Sequence, residues 1–123
     1  MIKVPGFLLR RLYVKGSLKN DADGFQFQIK NSLGSGYAKK IFPLTLDGEE
    51  LPFESTSFIQ DGHEVILSDV SIDIPFTLPM NKSITMIVKG VTLSDGPHKI
   101  GMSFEVQGLG KLSFDFTDML NDG

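Results

Sequence analysis

The chain has 123 residues, 41% of them hydrophobic, with ten Phe, no Trp and no Cys. That is enough for one domain and one Phe-rich core, it excludes disulfides, and it favours a reducing, cytoplasmic setting. The formal net charge is −3, yet residues 1–40 carry a net +6 and the remainder a net −9. This asymmetry is best read as basic early strands lying beside acidic later ones. A nucleic-acid partner is not expected, because no aromatic residues are interleaved with the bases as a stacking platform.

The N-terminal apolar stretch Phe7-Leu8-Leu9 is cut short by Arg10-Arg11, so no signal peptide is expected. No apolar run reaches the length of a membrane span. Leu12, Val14, Gly16 and Leu18 alternate with polar neighbours and predict a first strand with Tyr13 on its wet face. Asn20 to Gly24 predicts a turn. Phe25, Phe27 and Ile29 alternate with Gln26, Gln28 and Lys30, the clearest strand pattern in the chain. A flexible loop follows over Asn31 to Gly36.

Phe42, Leu44 and Leu46 share one face of the next strand, where Pro43 signals an edge or a bulge. Asp47-Gly48 then turns the chain into Glu49 to Phe53. Phe58-Ile59-Gln60, Asp61-Gly62 and His63 to Leu67 form a second hairpin pattern, since Asp-Gly supplies the positive backbone angles of a tight turn. Ile72, Ile74, Phe76 and Leu78 alternate, but Pro75 and Pro79 restrict that stretch to a crossover or an edge. Strands are predicted at Ile84 to Val88, Lys99 to Val106 and Lys111 to Thr117. Phe25, Phe27, Phe104, Phe114 and Phe116 are the predicted core. No stretch has helical periodicity. Eight or nine strands joined by turns predict an all-β fold: one domain over 1–123, a two-sheet antiparallel β-sandwich of immunoglobulin-like or jelly-roll type.

Chemical motifs are sparse. His63 and His98 are the only histidines, and no G-x-S-x-G elbow accompanies them. His63 and Glu64 are neighbours that point to opposite faces of a strand, so they do not chelate a metal together. The acidic turn Asn20 to Gly24 fails as a calcium loop, because Lys19 and Lys30 occupy its first and twelfth positions. Gly34-Ser35-Gly36 lacks the third glycine and the helix of a dinucleotide site. Neither catalytic residues, nor a metal site, nor a cofactor is therefore expected. A hydrolase or isomerase using His63 or His98 with Asp115 or Asp118 ranks last. Acid–base catalysis by Asp115 and Asp118 themselves is disfavoured too, since their odd spacing puts them on opposite faces if the last strand continues through both. Binding, if present, would use Tyr13, Tyr37, His63 and His98. Tyr13 is the one residue that speaks for a stacked carbohydrate. Tyr13, Ile41, Ile59, Ile66 and Ile87 on nominally wet faces point to a protein partner or a homo-oligomer.

Three segments carry a family resemblance. Gly24-Phe25-Gln26-Phe27-Gln28-Ile29-Lys30, Leu46-Asp47-Gly48-Glu49-Glu50-Leu51-Pro52 and Gly96-Pro97-His98-Lys99-Ile100 together resemble the small β subunit of bacterial C-glycoside deglycosidases and its relatives. The resemblance implies a sandwich that docks on a larger barrel-shaped catalytic subunit. That subunit would hold the metal and the acid/base groups, leaving this chain an accessory role. The alternative expectation is a carbohydrate-binding sandwich.

Overall fold

The computed structural model describes residues 5–32 and 36–120. The sandwich expected from the sequence is present: two antiparallel sheets pack face to face. The first runs β1 (Lys19–Asn20), β2 (Gly24–Lys30), β9 (Ser83–Lys89), β6 (Thr56–Gln60), β7 (His63–Ile66). The second is centred on β10 (His98–Val106). One edge of β10 pairs along its whole length with β11 (Gly110–Asp118). Its other edge pairs with β4 (Thr45–Leu46) at Ile100 and Gly101, and with β3 (Gly36–Ile41) from Phe104 to Val106. Pro43 falls in the gap between β3 and β4, as its missing amide donor requires. β5 (Glu49–Glu50) extends β4, and β8 (Phe76–Leu78) extends β3.

Alternation dictates which side chains fill the space between the sheets. β2 contributes Phe25, Phe27 and Ile29, and β9 contributes Ile84, Met86 and Val88. β10 and β11 answer with Ile100, Met102, Phe104, Leu112, Phe114 and Phe116. All five predicted core phenylalanines are buried. Phe76 links the two sheets, with its ring 4.8 Å from Phe58 and 6.1 Å from Phe104 in edge-on arrangements that suit the ring quadrupoles. The Gln60 side-chain amide also crosses between sheets and donates to the Thr77 carbonyl at 2.8 Å.

The Asp-Gly pairs divide by geometry. Asp47-Gly48 and Asp61-Gly62 have positive φ at both residues, 52° and 93° for the first pair and 52° and 80° for the second. That is the turn whose twist matches a hairpin. Asp23-Gly24 differs: Gly24 opens β2, and a side chain there would collide with the Val88 carbonyl oxygen. Glycine is needed at that position for close backbone approach. Asp122-Gly123 lies outside the described residues.

The first predicted strand needs correction. Gly6–Leu9 is a short α-helix (α1), and Arg10–Leu12 continues as a 3-10 turn. Tyr13 makes a single bridge to Ile29, and only Lys19–Asn20 forms a ladder with β2. Tyr13 is half-buried, not on a wet face, and Ile41 is fully inside the core. Local alternation over 12–18 imitates a strand, but the segment instead wraps the end of the sandwich. Leu12 and Leu18 anchor that wrap in the core.

Candidate functional site

The polar residues converge at the end of the sandwich where β10 begins and β11 ends. His98 and Asp118 face each other in the β10–β11 register. They occupy the last row of the inner face, beyond the Ile100–Phe116 pair. Neither reaches for the other. The Asp118 carboxylate accepts the Tyr13 hydroxyl at 2.7 Å and the Gly16 amide at 2.9 Å on one oxygen, and the Met119 amide at 2.8 Å on the other. Burial pushes its pKa up, but these hydrogen bonds outweigh burial and hold it below the usual carboxylate range. The Tyr13 ring lies against Phe116. Burial and the adjacent carboxylate push the Tyr13 phenol well above its ordinary value, so it keeps its proton and serves as a hydrogen-bond donor to Asp118.

His98 sits in a second knot of bonds. Its Nδ1 is 2.9 Å from Asp47 Oδ2, and its Nε2 is 2.8 Å from the Ser94 carbonyl oxygen. Asp47 Oδ1 accepts the Lys99 amide at 2.9 Å, while the Asp47 amide donates to the Lys99 carbonyl at 2.8 Å. Hydrogen bonding to Asp47 and then to Ser94 raises the imidazole pKa. The Lys99 amide and His98 in turn hold Asp47 below the usual carboxylate range. The Ser94 hydroxyl also lies 3.4 Å from Nε2; the two short contacts, to Asp47 and to the Ser94 carbonyl, are donated together only by the doubly protonated ring.

The remaining sequence candidates lie apart. His63 opens β7 in an exposed position. Tyr37 is on β3, where its hydroxyl donates to Gln107 at 3.2 Å. It helps line an open cleft of about 600 Å³ with Ile72, Pro75 and Thr77. The four residues are therefore not one site. Tyr13 and His98 share the same end of the sandwich, through Asp118 and its partner position.

A groove missed by the sequence reading crosses the outer face of the second sheet. It has a volume of about 340 Å³ and is lined by Thr45, Lys99, Gly101, Ser103, Ser113 and Asp115, among others. The missing side chain of Gly101 makes room for the Thr45 hydroxyl, which occupies the space above it. The Ser103 and Ser113 hydroxyls are 2.9 Å apart. Asp115 lies 3.5 Å from Arg10 and 3.8 Å from Lys99. Cross-strand register assembles these groups, so no contiguous motif announces them. Among the described residues, no group of three or more His, Cys, Asp or Glu is arranged to hold a metal ion. Among them also, no helix is long and apolar enough to cross a membrane.

The fold thus defines a two-sheet antiparallel sandwich with a polar end and a hydroxyl-lined outer groove. A family profile described as hydroxymethylglutaryl-CoA reductase, N-terminal domain, matches residues 8–121. The chain belongs to that family. No curated protein matches the sequence. The family assignment overturns the resemblance to a C-glycoside deglycosidase β subunit. The three segments behind that resemblance turn out to be β2, the β4–β5 hairpin and the start of β10. Each is a generic answer to a sandwich requirement, a half-buried strand or a tight turn, so together they reported the fold and not the lineage.

Proposed function

We propose that this chain is a non-catalytic sandwich domain that acts by assembly, on a protein partner or on a second copy of itself. The observation that carries the reading is the commitment of the acids and the imidazole at the polar end to backbone. Asp47, Asp118 and His98 all hold main-chain atoms of other segments. A general base needs a free lone pair within reach of substrate, and both nitrogens of His98 are already engaged, by Asp47 and by Ser94. The family's description as the N-terminal domain of an enzyme supports the same role and suggests the partner, the catalytic part of a hydroxymethylglutaryl-CoA reductase. A cytoplasmic location rests on the absence of Cys. The docking surface is the outer face of the first sheet, where Ile87 and Ile66 flank Ser57 in one cross-strand row and Ile59 lies in the next.

Light scattering on the chain, alone and mixed with such a catalytic domain, tests this. A stable complex or dimer that Ile66→Lys weakens is the expected result. A monomer at high concentration that ignores the catalytic domain would remove the reading.

The outer groove favours a second reading, a binding site for a small carbohydrate. Paired hydroxyls, a third hydroxyl from Thr45, a carboxylate and an ammonium offer the donors and acceptors that a polyol requires. Amide chemical shifts of Lys99, Ser103 and Ser113, followed during titration with neutral monosaccharides, decide it. Saturable shifts support the site, and unmoved signals eliminate it.

A further inference from the structure

We propose that His98 is a proton-operated latch that pins the β4–β5 turn and the 91–97 connection onto the start of β10. The proposal is independent of which partner or ligand the domain meets. It stands on three segments that meet at one ring. Asp47 belongs to the turn after β4, Ser94 to the connection between β9 and β10, and His98 to β10 itself. The ring's side chain is 11% exposed, whereas that of Asp47 is 51% exposed, so the ring is shielded but its carboxylate partner stays open to water.

The connection is also tethered at Leu93, which is buried in the core. Asn20 clasps Leu93 with both ends of its amide, donating to the Leu93 carbonyl and accepting the Leu93 amide, each at 2.9 Å. Those bonds carry no titratable group. His98 holds the next residue, Ser94, and is the one contact there that a proton can switch. On the other side, Asp47 and Gly48 form the turn, and Gly48 lines the outer groove together with Lys99. Releasing Asp47 from the ring therefore loosens one wall of that groove.

The charged surroundings of the ring are few. Asp47 faces it from the turn. The connection brings Ser94, with Asp95 next in sequence. β11 brings Asp118, whose oxygens already serve Tyr13, Gly16 and Met119. Lys99 is adjacent on β10, with its ammonium turned to the outer face beside Asp115. The acids favour the cation. A neutral imidazole has one N–H and one lone pair. With Nδ1–H kept on Asp47, the Nε2 lone pair faces the Ser94 carbonyl at 2.8 Å, and the Ser94 hydroxyl, 3.4 Å away, is the donor that can replace that contact. Deprotonation therefore exchanges the short carbonyl contact for a longer hydroxyl one and loosens the connection at Ser94.

The folded imidazole has a raised pKa. Its contribution is therefore complete below the unfolded value of about 6.5 and disappears as pH rises through the folded value. The experiment is an NMR titration of the full chain from acid to mildly alkaline pH, with His63→Asn used to assign the two imidazoles. We expect the His98 ring to titrate above 6.5, and the Gly48, Ser94 and Asp95 amides to shift with the same midpoint. His98→Gln keeps a polar amide but removes the titrating group, and should abolish those amide transitions while the core amides of β2 and β9 keep their positions. A His98 midpoint at or below 6.5, or turn and connection amides that titrate independently of it, would overturn the latch. If His98→Gln does not fold, the wild-type midpoints alone still decide.

Discussion

Tyr13 lies flat on Phe116, with ring centroids 3.6 Å apart and planes 9° from parallel, while its hydroxyl donates to Asp118 two residues further along β11. One side chain thus seals the end of the core and ties the N-terminal wrap to the last strand. Tyr13→Phe keeps the stack and removes the bond, at a cost of about 1–2 kcal/mol. Tyr13→Ala loses both and costs about 3–5 kcal/mol. Urea unfolding of the two variants separates the terms.

The same pair predicts an acid response. Asp118 has a lowered pKa in the folded chain, so its stabilising effect is present above the unfolded value of about 3.9 and lost as pH falls through the folded value. Tyr13→Phe removes a donor to the carboxylate, raising that folded pKa. The variant should therefore lose less stability than wild type on going from neutral to acidic pH. Unfolding midpoints measured across that range check the sign, and a steeper acid loss in the variant would refute it.

Gly24→Ala tests the close approach of β2 to β9. The added methyl would meet the backbone oxygen of Val88, which cannot rotate away. A loss of about 1–3 kcal/mol is expected. Gly6→Ala is the control, since nothing lies near its missing side chain.

Phe27 is fully buried, against both Tyr13 and Phe116. Phe27→Ala should cost about 3–5 kcal/mol. Phe7 on α1 is 66% exposed, and Phe7→Ala should change stability by less than about 0.5 kcal/mol. Equal effects in thermal unfolding would contradict the assigned core.

Much of the fold could be read from local pattern. Phe25 to Lys30 alternates cleanly because one face is core, and Asp61-Gly62 names its own turn through its backbone angles. Tyr13 could not be read that way. Its burial depends on Phe116 and Asp118, about a hundred residues away, and no local period encodes that meeting. The link of His98 to Asp47 was not legible either, because it needed the β4–β10 register. The outer groove was invisible for the same reason: Thr45, Gly101 and Asp115 become neighbours only across three strands. Ile59, Ile66 and Ile87 were read correctly as lying off the core face, whereas Ile41 was not, since the chain reverses its exposure near Pro43.

The central claim is that this sandwich contributes structure and leaves chemistry to a partner. The most direct test is turnover by the purified chain alone, supplied with hydroxymethylglutaryl-CoA and a reduced nicotinamide cofactor and, separately, with panels of glycosides, esters and phosphates. The account predicts rates equal to those of buffer for wild type, His63→Ala and His98→Ala. Turnover by the wild-type chain that disappears when His63 or His98 is replaced, with the variant still folded by circular dichroism, would contradict it.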